Sequence, residues 1–204
     1  MPVYTKDDQK ILFIHVPKTA GSSVNKLFAQ NGYDISYYSE GSTSRFRGHC
    51  GPQHIDRELI LGEFDLDTFD YIFSIYRDPA DRLLSEFTWA PWGLVGRDEY
   101  TPEAFETWCP LIFDAWKKQK YRFDNHIRPQ CDFYIDDTDV YDFDEIHTLP
   151  EKLRDKIGLD NIDLPYERSS RRDDREYIIY ENTFELIKEF YKGDYQWLEE
   201  SHLQ

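Results

Sequence analysis

The sequence predicts a single α/β domain over residues 1–204, with a central, mainly parallel sheet flanked by helices. Two successive strand–loop–helix patterns carry that expectation, and a length of 204 residues fits one domain. Composition is the third observation. At 40% hydrophobic, with 14 Phe, 15 Tyr and 5 Trp, the chain can bury a core despite 31% charged residues, which excludes intrinsic disorder.

Residues 11–16 read Ile-Leu-Phe-Ile-His-Val, a short apolar run ended by Pro17, as suits a buried parallel strand. From Ser22, the residues Val24, Leu27 and Phe28 recur at helical spacing, and Asn31-Gly32 supplies a stop. The Gly, Ser and Arg content of residues 41–52 predicts a loop. The second unit places a strand over Tyr71–Tyr76, then a helix with Asp78 as N-cap, Pro79 in first position and Leu83, Leu84 and Phe87 on one face. Thr101-Pro102 opens a further helix toward Trp116, interrupted near Pro110. Residues 132–145 are expected to hold a strand or two in an acidic surface, and residues 176–200 one or two amphipathic helices.

With 24 basic against 40 acidic residues the net charge is -16, which repels nucleic acid and anionic membranes. An anionic ligand must therefore meet a local basic pocket. No apolar run approaches the ~20 residues of a membrane span, and the start MPVYTKDDQK lacks the basic-then-apolar order of a signal peptide. No membrane span and a cytoplasmic location are expected. Cys50, Cys109 and Cys131 are odd in number and without CxxC spacing, and the carboxylates lack an EF-hand pattern. Reduced thiols and no metal follow.

The segment Pro17-Lys18-Thr19-Ala20-Gly21-Ser22-Ser23 joins a strand to a helix N-terminus, where free N–H groups and the helix dipole attract an anion. It is P-loop-like, although the Walker A order is absent because the lysine precedes the glycine. An ordinary turn with a solvated lysine is the alternative. The second unit contributes Arg77 at its strand end and Ser85 on the following helix. Both loops would open at the same edge of a parallel sheet, so one ligand with phosphates at both ends could span them. The alternative fate of Arg77 and Arg82 is a surface salt bridge.

Ile14-His15-Val16-Pro17-Lys18-Thr19-Ala20-Gly21-Ser22-Ser23 resembles the 5′-phosphosulfate loop of sulfotransferases that use 3′-phosphoadenosine 5′-phosphosulfate (PAPS). Tyr76-Arg77-Asp78-Pro79 through Ser85-Glu86-Phe87 is similar to their 3′-phosphate motif. Gly48-His49, the stretch from Asp124 to Gln130 and the stretch from Phe190 to Tyr195 extend the resemblance toward the branch with heparan sulfate 2-O-sulfotransferases and chondroitin sulfotransferases. The resemblance implies a PAPS-dependent enzyme that sulfates a hydroxyl of a carbohydrate or glycosylated small molecule. It assigns Lys18, Thr19, Ala20, Gly21, Ser22, Ser23, Arg77 and Ser85 to the donor, together with Ser170 and Arg171 in the basic run Arg168–Arg172. It makes Lys18 and His49 catalytic, with His54 and His126 as alternative bases. Trp89 and Trp92 are candidates for stacking or for the core. A P-loop nucleotide or nucleoside kinase-like enzyme and a non-catalytic nucleotide-binding module are the rival readings.

Overall fold

The computed structural model describes residues 1–39, 45–90, 92–94, 101–165 and 178–200. Its sheet is built on β2 (Gln9–Ile14) and β4 (Tyr71–Tyr76), which pair in parallel with Leu12 opposite Ile72 and Phe13 opposite Phe73. β5 (Asp139–Asp142) adds to β4 in parallel. On the other side, β1 (Val3–Lys6) pairs antiparallel with both β2 and the short β3 (Asp34–Ser36). The order is β3-β1-β2-β4-β5, so the five-stranded sheet is mixed rather than mainly parallel. The departure has a local cause: Val3–Lys6 folds back on β2 through a tight turn with Asp7 at φ 51°, inside a stretch too short and polar to announce a strand.

Side chains alternate across the two central strands, as the period of two requires. Ile11, Phe13, Phe73 and Ile75 face α1 (Gly21–Gln30) and α5 (Leu149–Ile157), packing on Val24, Leu27, Phe28 and Leu153. Leu12, Ile14 and Tyr76 face the other way, onto Ile55, Phe133 and Ile135 and onto Ile60 of α2 (Arg57–Glu63). A separate cluster joins α3 (Pro79–Trp89), α4 (Pro102–Lys118), α6 (Glu181–Phe190) and α7 (Lys192–Glu199) around Phe87, Trp108, Phe113 and Tyr191. No helix among the described residues is long and apolar enough to cross a membrane.

α4 runs unbroken through Pro110, against the expected interruption. Pro110 is exposed while Trp108, Cys109, Ile112, Phe113 and Trp116 are buried. Burying those side chains outweighs the ~3 kcal/mol of an interior proline. α3 begins where expected: Asp78 Oδ1 accepts from the N–H groups of Ala80 (2.8 Å) and Asp81 (3.0 Å). Asp78→Ala should therefore destabilise the protein by about 1 kcal/mol. A urea melt with an unchanged midpoint would show that the cap contributes nothing.

Candidate functional site

The chain leaves β2 through a turn in which Lys18 (φ 70°) and Ala20 (φ 64°) are both left-handed. Such geometry is strained for residues with a Cβ. It is held by Thr19, fully buried, whose Oγ1 donates to Val16 O at 2.8 Å. The Thr19 hydroxyl thus braces the loop and does not point outward. α1 then starts with no side-chain cap, and with Ser23 N donating to Ala20 O at 2.9 Å the N–H groups of Gly21 and Ser22 are left for another acceptor. A Cβ on Gly21 would stand 1.9 Å from His15 Nε2, so only glycine lets the imidazole lie beneath the loop. Ser22 is half-buried and Ser23 buried.

The second loop leaves β4 at Arg77 and is tied to the first. Arg77 Nη1 donates to Lys18 O at 3.0 Å across 59 residues of sequence, and its guanidinium lies 4.2 Å from the centroid of the Phe143 ring. The Arg77 backbone is fixed by Gln130: Arg77 N donates to Oε1 (3.1 Å) and Gln130 Nε2 donates to Arg77 O (2.7 Å). Gln130 is in turn held by Asp194 of α7, whose carboxylate accepts from Gln130 N (3.0 Å) and Cys131 N (2.9 Å). Burial raises the Asp194 pKa in spite of those two bonds. Ser85 is buried on α3. Arg82 is buried too and makes no salt bridge among the described residues: it donates to His126 O (3.0 Å) and Arg128 O (2.8 Å), bracing the segment that carries the histidine.

Beside the lysine loop lie three imidazoles and two carboxylates. His54 Nδ1 is 2.8 Å from Asp124 Oδ2, and His126 Nδ1 is 2.7 Å from Glu86 Oε2. The His54 ring lies 4.8 Å from His126 and 5.1 Å from His15, centroid to centroid. Asp124 (φ 51°) and Asn125 (φ 61°) take the left-handed conformations that Asp and Asn tolerate best, and Asn125 Nδ2 donates to His54 O at 2.7 Å. Trp89 stacks on His126 at 5.2 Å, and Lys18 Nζ lies 4.8 Å from the Trp89 centroid. Half of Trp89 is exposed.

Burial sets the direction for two of the imidazoles. It lowers His54 to about 4 against the opposing bond from Asp124, and lowers His15 well below the usual imidazole range. Burial is the largest single influence on Asp124 and works to raise it, but the bond and charge of His54, the Gly51 N–H and His126 together outweigh it and bring the carboxyl down to about 2. Glu86 is lowered as well, its burial outweighed by His126, Lys18 and the Trp92 N–H. At neutral pH the carboxylate of Asp124 can only accept, so His54 carries its proton on Nδ1 and presents a lone pair on Nε2.

Of the residues expected from the sequence, Lys18, Arg77, His54 and His126 come together. His49 is an exposed side chain, its ring 4.6 Å from Tyr121, whose hydroxyl donates to Asp56 Oδ2 at 2.8 Å. Ser170 and Arg171, with the rest of the basic run, lie outside the described residues. Trp92 belongs to the packing, donating from Nε1 to Glu86 at 2.8 Å. Sequence reasoning missed Glu86, Asp124, Gln130 and Asp194. Each sat inside or beside a motif already singled out, but its partner lies 40 to 70 residues away.

No curated protein and no solved structure matches the chain. A profile of the sulfotransferase family does, over residues 1–199. That span contains both loops and the histidine cluster, and the protein belongs to the sulfotransferase family.

Proposed function

We propose that this chain transfers the sulfuryl group of PAPS to a hydroxyl of a carbohydrate or a glycosylated small molecule. The bond from Arg77 to the Lys18 carbonyl carries the reading, because it brings two anion-type loops within reach of one ligand. The donor fits what is present. Lys18, the N–H groups at the uncapped start of α1 and the hydroxyls of Ser22 and Ser23 would hold the 5′-phosphosulfate. Arg77 and Ser85 would hold the 3′-phosphate, with Ser170 and Arg171 assigned there by resemblance. When bound, PAPS supplies a sulfuryl group on a phosphate leaving group.

His54 would take the acceptor proton on Nε2 while Asp124 keeps the ring in that tautomer and favours the imidazolium that forms. This moves the base from His49 to a histidine that has a carboxylate partner and lies in the cluster beside the lysine loop. Lys18 would stabilise charge developing on the sulfuryl and phosphate oxygens. Trp89, half exposed and 4.8 Å from Lys18 Nζ, leaves aromatic surface in contact with solvent beside the reacting group, against which a sugar would pack. A net charge of -16 disfavours heavily sulfated polymers as acceptors. Incubation with radiolabelled PAPS and a glycan extract tests the reading; failure to label any product and failure to bind adenosine 3′,5′-bisphosphate would together refute it.

Arg77→Lys should weaken PAPS at least tenfold more than adenosine 5′-phosphosulfate, since only PAPS carries the 3′-phosphate. Equal losses in calorimetry would place Arg77 elsewhere. His54→Ala should lower kcat by about 10²- to 10⁴-fold with little change in nucleotide affinity, whereas His49→Ala should stay within a few fold of wild type. The opposite ranking would return the base to His49.

A further inference from the structure

We propose that His54, His126 and Asp124 bind a first-row divalent metal ion, zinc foremost, and that its binding switches the enzyme off. One ligand atom from each of the three residues lies within 4.8 Å of the others. His54 Nδ1 and Asp124 Oδ2 stand 2.8 Å apart. Zinc bonds of ~2.0–2.2 Å place neighbouring ligands about 3.3 Å apart, so small side-chain rotations close the site. Two imidazoles and one carboxylate suit zinc, cobalt or nickel and not the all-oxygen preference of magnesium or calcium.

The supports of a metal site are in place as well. Glu86 holds His126 through Nδ1 and leaves Nε2 for a metal, the carboxylate–histidine arrangement that orients metal ligands. Asn125 fixes the His54 carbonyl and Arg82 the His126 carbonyl. A further imidazole stands by: His15 is 8% exposed, its Nδ1 has no hydrogen-bond partner among the described residues, and its ring lies 5.1 Å from that of His54. An acidic surface raises the local concentration of cations.

Inhibition follows from proton bookkeeping on one ring. If the metal binds His54 through Nδ1, the ring proton moves to Nε2, which then has no lone pair for an acceptor proton. If it binds through Nε2, it occupies that lone pair directly. Either way the base is lost. Inhibition rests on the proposed function, whereas metal binding does not.

The two are separated by measuring binding in the absence of PAPS and acceptor. Cobalt(II) added to the full chain should give one equivalent of a visible ligand-field band that zinc(II) abolishes. Asp124→Asn and His126→Gln, each checked for folding by circular dichroism, should weaken the metal about 10- to 100-fold, and His147→Gln should not. In the wild-type protein, zinc should shift the ring resonances of His54 and His126 and leave His147 in place. No cobalt band, unshifted His54 and His126 resonances, or full affinity in both folded variants would overturn the site. With transfer activity in hand, zinc should inhibit and a chelator should restore it; undiminished turnover on the zinc-loaded enzyme would overturn the inhibition.

Discussion

The hydrogen bond from Arg77 to the carbonyl of Lys18 links the ends of the two central strands, and the site is arranged around it. β2 and β4 are adjacent and parallel, so their C-terminal ends emerge side by side. Adjacency alone leaves each loop free to choose its own shape. The arginine removes that freedom, and it can do so only because its own backbone is pinned on both polar atoms by Gln130. Gln130 is pinned by Asp194 on α7, so the last helix of the chain reaches through one buried carboxylate to the first loop.

The same economy of buried polar groups explains the histidine cluster. Imidazoles withdrawn from water favour their neutral form, and carboxylates withdrawn from water need donors. Pairing His54 with Asp124 and His126 with Glu86 satisfies both demands, fixes which ring nitrogen carries the proton and leaves the other nitrogen for chemistry. The strained turn at Lys18 and Ala20 belongs to this arrangement. It passes over His15, and Gly21 is the residue that makes room for that ring. Glycine here answers a neighbouring side chain.

What was legible in the sequence was local. β4 and the start of α3 coincide with the apolar run and the Asp78-Pro79 signal, because strand period and helix capping act over a few residues. α1 and its stop at Asn31 were readable for the same reason. The antiparallel hairpin of β1 and the continuity of α4 through Pro110 were not, since tertiary burial decided both. At the site, Lys18 and Arg77 announced themselves by position after a strand. Glu86 and Asp124 did not, because a carboxylate acquires its meaning from a histidine that only the fold brings beside it. His49 drew attention by its resemblance to a motif, whereas the burial of His54 and its pairing with Asp124 are visible only in the fold.

The central claim is that the joined loops form one site for a nucleotide with phosphates at both the 5′ and 3′ positions. Calorimetry of adenosine 3′,5′-bisphosphate in the presence of a chelator tests it most directly, with ATP and magnesium as the competing pair. Saturable 1:1 binding of the bisphosphate without metal, much tighter than that of adenosine 5′-monophosphate, is the expected result. Binding of magnesium ATP with no affinity for the bisphosphate would contradict the account and turn it toward a kinase-like enzyme.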